Sequence, residues 1–135
     1  RIDRLRDGRL ALYDYKTGAP PSRKQIRLFD KQLPLEAAIA EAGGFEGAPA
    51  AEVAALAHIS LGGGRGAGAA AAVGDDPAAL AAEAWEGLAA LVAAYDDPAT
   101  PYPARARPEQ LRHAGDYDHL SRYGEWDDSS WGAAP

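Results

Sequence analysis

The sequence predicts an α/β fold. Three observations carry this: an opening hairpin whose second strand is strongly apolar, a capped helix of about twenty residues late in the chain, and a further apolar strand between helical segments. The chain has 135 residues, a formal charge of -6 and 47% hydrophobic residues, the balance of one globular domain.

Arg1–Leu5 reads as a short strand, and Arg6-Asp7-Gly8-Arg9 as a turn with Asp-Gly at its tip. Leu10–Lys16 is the second strand, apolar enough in its first half to be covered on both faces. Thr17–Ser22 ends it as a loop. Pro34 suits the first turn of a helix over Leu33–Ala42, with Leu35, Ala38, Ile39 and Ala42 as its apolar stripe and Gly43-Gly44 as its stop. Ala51–Leu61 is the next strand, with His58 packed in the sheet, and Gly62–Gly66 is a loop. Asp76 caps a helix that Pro77 opens, with Leu80, Ala84, Leu88, Leu91, Val92 and Tyr95 along one face. The expected division is a domain over 1–97 and an irregular tail over 98–135, with one short helix near Tyr117–Tyr123.

Composition excludes several chemistries. With no cysteine there is no disulfide, no thiolate zinc site, no iron-sulfur cluster and no thiol nucleophile. No run of about 18 consecutive apolar residues occurs, so no membrane span is expected, and a cytoplasmic setting fits. No methionine is present either, as expected of a piece of a longer chain. Gly62–Gly66 lacks the Gly-Lys-(Ser/Thr) ending of a phosphate loop, the histidines lack zinc spacing, and no serine sits in a nucleophile elbow. Charge is unevenly placed: residues 1–31 carry net +5 and the remainder net -11. A basic head of this kind suits a polyanion, whereas the acidic tail around Trp126 and Trp131 suits packing on protein.

The chemistry lies in Leu12-Tyr13-Asp14-Tyr15-Lys16-Thr17-Gly18. Side chains alternate along a strand, so Asp14 and Lys16 share a face. A carboxylate and an ammonium at the end of a buried strand are costly to desolvate. Metal-dependent phosphodiester hydrolysis uses such a pair: the carboxylate holds the ion and the lysine meets the developing charge. The backbone carbonyl of Tyr15 is a further hard donor.

The string Asp14–Gly18 after a hairpin, followed by Gln32-Leu33-Pro34-Leu35-Glu36 at a helix start, resembles the RecB-like branch of the PD-(D/E)XK nuclease superfamily. Asp3-Arg4 and the late Asp116-Tyr117-Asp118-His119-Leu120 and Gly124-Glu125-Trp126 make it most similar to AddB-type nuclease domains, which work with the AddA helicase-nuclease subunit in double-strand break repair. The resemblance implies the C-terminal part of a restriction-endonuclease-like core. It also implies Mg²⁺ or Mn²⁺ dependence, Asp14 as metal-binding carboxylate, Lys16 as the catalytic lysine and Gln32 as an orienting residue. DNA is then the partner, a single strand fed past Arg4, Lys24 and Arg27. Three departures stand out, the first being that the family's upstream helix with its His is missing here. Glu36 occupies the place where the family carries tyrosine, and the motif's earlier acidic residue would fall before Arg1, leaving Asp3 as its substitute. The piece alone is accordingly expected to lack nuclease activity.

Overall fold

The computed structural model describes residues 1–62 and 68–102. The elements are β1 (Ile2–Arg4), β2 (Leu10–Lys16), α1 (Arg23–Leu28), α2 (Gln32–Glu41), β3 (Val53–Ser60), β4 (Ala70–Ala72) and α3 (Pro77–Asp96). The strands form one mixed sheet in the order β1-β2-β3-β4, antiparallel at both edges and parallel between β2 and β3. The chain divides between Ala94 and Tyr95 into two units, and the sheet, α1 and α2 all belong to the first. In the second, Asp97 closes a turn by accepting from the Ala99 amide, and the rings of Tyr95 and Tyr102 meet at 4.6 Å.

The hairpin forms as its sequence predicts. Gly8 has φ +90°, a conformation that costs a residue with a Cβ about 1–2 kcal/mol, and Asp7 accepts from the Arg9 amide across the turn. β2 then changes character along its length. Leu10, Ala11 and Leu12 are buried, which covers both faces there, while Tyr13 to Lys16 are half-buried or exposed. Leu10 and Leu12 meet Leu33, Ala37 and Ala40 of α2, Val53 and Leu56 of β3, and Val73 and Ala81 in one core. Each large aliphatic side chain so buried contributes about 1.5–3 kcal/mol.

Two elements were not expected from the sequence. α1 is held by a capping box: the Ser22 hydroxyl accepts from the Gln25 amide, and the Gln25 side chain accepts from the Ser22 amide. β4 consists of three exposed alanines paired with β3, and its successor Val73 enters the core.

The stripe of α2 differs from the expected one. Leu33, Pro34, Ala37 and Ala40 are buried, whereas Ile39 and Ala42 are exposed. The helix is apolar nearly all round, so periodicity cannot choose the inner face, and contact with Leu10 and Leu12 chooses it instead. Gly43 (φ +72°) ends α2, its amide bonded to the Ala40 carbonyl and that of Gly44 to Ile39, as the glycine pair predicts.

On α3 the cap is as expected, with Asp76 accepting from the Ala79 amide. The inner face is shorter than expected. Ala81 and Ala84 are buried and Leu80 half-buried, but Leu88, Leu91 and Val92 are exposed. Burial is confined to the first turns of the helix. By length and composition alone α3 would suffice to cross a membrane, with a mean hydropathy of 1.2, because alanine scores as apolar. Glu83 and Glu86 near its middle oppose insertion, each such charge costing a few kcal/mol. Glu83 also pairs with Lys31 at 3.2 Å, which ties α3 to the start of α2.

The chain between Gly63 and Ala67, and all from Pro103 onward, lie outside the described residues. With them lie most of the expected glycine loop, His113, His119, the expected helix near Tyr117–Tyr123, and the string from Asp116 to Trp126.

Candidate active site

Parallel pairing of β2 and β3 brings partnered side chains to one face, and the register places Asp14 beside His58 and Lys16 beside Ser60. This register depends on an irregularity. Leu10 pairs with Val53, but Ala11 pairs with Ala55, so β3 carries one extra residue, Ala54. Such a bulge changes which residues point inward downstream of it. Val53 and Leu56 both face the core although three positions apart, and His58 and Ser60 follow Leu56 on that side. The Glu41 side chain accepts from the Val53 amide at 3.0 Å, anchoring the start of the bulged strand to α2.

Asp14 and Lys16 do share a face. Lys16 Nζ lies 2.7 Å from Asp14 Oδ2, with the Asp14 side chain only 19% exposed. By distance this is a charge-assisted bond, and with the nearby charges of Asp30 and Glu36 it holds the Lys16 ammonium above the usual lysine value, against the opposing effect of burial. By angle it is poorly directed, and Oδ2 is left buried without a well-formed hydrogen bond. Lys16 Nζ also donates to Gln32 Oε1 at 3.5 Å, and Gln32 Nε2 donates to Glu36 Oε1 at 3.1 Å. Asp14, Lys16 and Gln32 therefore form one connected cluster at the C-terminal end of β2 and the start of α2, with Glu36 in its outer ring.

His58, expected from its place in an apolar strand to be a packing residue, stands inside this cluster. It is 2% exposed, and its Nε2 lies 3.7 Å from Asp14 Oδ2. That is too far for a hydrogen bond, and Nε2 is buried without a partner. Burial pushes the His58 pKa below the ordinary 6.5; Asp14 and Asp30 pull it up, and Lys16 opposes them. The imidazole is therefore neutral at pH 7.

Tyr13 and Tyr15 face the other way. The amide of Tyr13 donates to the Arg1 carbonyl, and its own carbonyl accepts from the Arg1 amino group. By the same parity the carbonyl of Tyr15 points to the β1 side of the strand, beyond Arg1.

The remaining expected site residues are not gathered here. Asp3 pairs with Ala11 in the antiparallel ladder, which puts its side chain on the Tyr13 and Tyr15 face, opposite to Asp14. There it binds the Arg1 guanidinium at 2.8 Å. Asp3 is thus corrected as a metal ligand, because a two-residue period places it on the wrong side of the sheet. Arg4 pairs with Leu10, roughly 13 Å along β2 from Asp14 at about 3.3 Å per residue. Lys24 and Arg27 are exposed on α1, the helix that follows the Lys16 end of the strand. An apolar hollow of 570 Å³ between α2 and α3 is lined by Ala38, Ile39, Ala81 and Trp85 and by none of the cluster.

A carboxylate oxygen whose neighbour is the Lys16 ammonium, and an imidazole nitrogen with no hydrogen-bond partner, are donors of the kinds a divalent cation takes. Among the described residues no group of three or more His, Asp or Glu side chains converges on one point; the pair that does approach is Asp14 and His58, at 3.7 Å.

Residues 1–109 match the model of the PD-(D/E)XK nuclease superfamily, and the chain belongs to that superfamily. Its members are in general nucleases that use divalent metals. Neither curated proteins nor solved structures give a match.

Proposed function

We propose that this chain is the nuclease region of an AddAB-type helicase-nuclease, cleaving DNA by Mg²⁺- or Mn²⁺-dependent phosphodiester hydrolysis during double-strand break repair and recombination. The observation that carries the reading is the convergence of Asp14, Lys16 and Gln32 at the end of a central strand. Asp14 would hold the divalent ion, with the Tyr15 carbonyl as a further candidate donor. The ion, when bound, would neutralise the scissile phosphate and favour hydroxide over water. Lys16, kept cationic by its surroundings, would donate to the attacking oxygen or to the charge developing on the phosphate. Gln32 accepts from Lys16 and fixes its direction. The basic head, with Lys24 and Arg27 exposed on α1, favours a single strand passing the site. An AddA-type subunit would be its partner, in the cytoplasm.

The test is made in the complete parent protein. Asp14→Ala and Lys16→Ala are each expected to abolish cleavage while the circular dichroism spectrum stays native. Unchanged cleavage in either variant rejects the proposal.

A second reading keeps the fold as a non-catalytic DNA-binding or scaffolding module. Glu36 favours it, since this carboxylate engages Gln32 where the family carries tyrosine. Calorimetry of the parent with Mg²⁺ or Mn²⁺, with and without Asp14, separates the two. Ion binding that depends on Asp14 supports the nuclease, and its absence supports the scaffold.

A further inference from the structure

The Asp-x-Lys pair leaves one feature of the cluster unexplained. His58 comes from a different strand, is 2% exposed, and has a ring nitrogen with no partner facing a carboxylate oxygen that also lacks a well-formed one. A histidine that merely filled the core would be expected to satisfy its polar atoms. The two atoms are 3.7 Å apart. A carboxylate oxygen and an imidazole nitrogen each bind a first-row ion at about 2.0–2.2 Å, so a gap of this size can be bridged by one ion and cannot be closed by a direct hydrogen bond.

We infer that His58 is a ligand of the divalent ion held by Asp14, which makes the centre a mixed oxygen–nitrogen site that prefers transition ions to Mg²⁺. This rests on the metal-dependent nuclease reading above and deepens it. The extra residue Ala54 in β3 turns His58 to the Asp14 side. Lys16 presently occupies the cation position on Asp14 and has a second acceptor, Gln32 Oε1, within reach when an ion enters. Mg²⁺ prefers oxygen donors and retains water, whereas an imidazole nitrogen raises affinity along the series Mn²⁺, Co²⁺, Ni²⁺.

The full chain is titrated with Mg²⁺, Mn²⁺ and Co²⁺ by calorimetry, and the Mn²⁺ form is studied by pulsed EPR for a directly bound nitrogen. The expected result is an affinity order of Co²⁺ over Mn²⁺ over Mg²⁺ and a nitrogen coupling in the wild-type spectrum. In His58→Gln the coupling disappears and Co²⁺ affinity falls by about 10- to 100-fold, while Mg²⁺ affinity stays close to its original value. A wild-type Mn²⁺ spectrum without nitrogen coupling overturns the inference with no variant needed, as does a coupling that survives His58→Gln. Asp14→Asn separates the two levels. If it abolishes binding of all three ions while the wild type shows no nitrogen, the nuclease reading stands and the role of His58 falls. If it leaves ion binding untouched, both fall.

Discussion

The two ends of β2 and β3 are built on opposite terms. At the start, Leu10, Leu12, Val53 and Leu56 are almost wholly buried and packed against α2. Four residues further on, Asp14, Lys16 and His58 are drawn out of water with two polar atoms left over. The first end gains free energy from burial, and the second spends part of it holding charged groups where a ligand can use them. The strand start is therefore expected to govern stability and the strand end activity, and mutations can separate them.

The largest effect on stability is expected from Leu12→Ala, about 2–5 kcal/mol in a urea or thermal melt. A loss below about 1 kcal/mol would show that this end does not carry the core. Next in size is a pH effect confined to the other end. The folded pKa of His58 lies below its unfolded value near 6.5, so the unfolded chain binds more protons in the window between them. Stability is full above about 6.5 and declines as pH falls toward the folded value. His58→Gln should lose that part of the slope, and superimposable pH–stability curves would contradict the buried neutral imidazole. Ser22→Ala, which removes the capping box of α1, should cost about 1 kcal/mol and leave ion binding unchanged. The smallest change is expected from replacing the charged pair by apolar residues together, Asp14→Leu with Lys16→Met. Such a swap is often neutral or mildly stabilising, although it should end metal binding. A melting point lowered by more than about 8 °C, or roughly 1–2 kcal/mol in a domain of this size, would mean that the pair holds the fold together.

How far the sequence alone reaches follows the same division. Local signals were sufficient where the determinant is local: the Asp7-Gly8 turn, the Asp76 cap, the Gly43 stop, and the shared side of Asp14 and Lys16. Ser22 and Gln25 also carry a local signal for α1, at capping-box spacing. Alanine hid the rest. It gave α2 no distinct inner face and left β4 without any pattern. His58 was placed in the strand, but its meeting with Asp14 depends on pairing between residues 44 positions apart and on one bulged residue. Asp3 failed for the complementary reason: spacing along the chain is silent about which side of a hairpin a residue takes.

The extra alanine at position 54 makes segment length a chemical variable. Removing or adding one residue between Glu52 and His58 would rotate the imidazole toward the tyrosines and leave Asp14 and Lys16 where they are. Scanning by substitution would never expose this dependence, because each residue of the stretch could be exchanged while the count of residues, the quantity that aims the ring, stayed fixed.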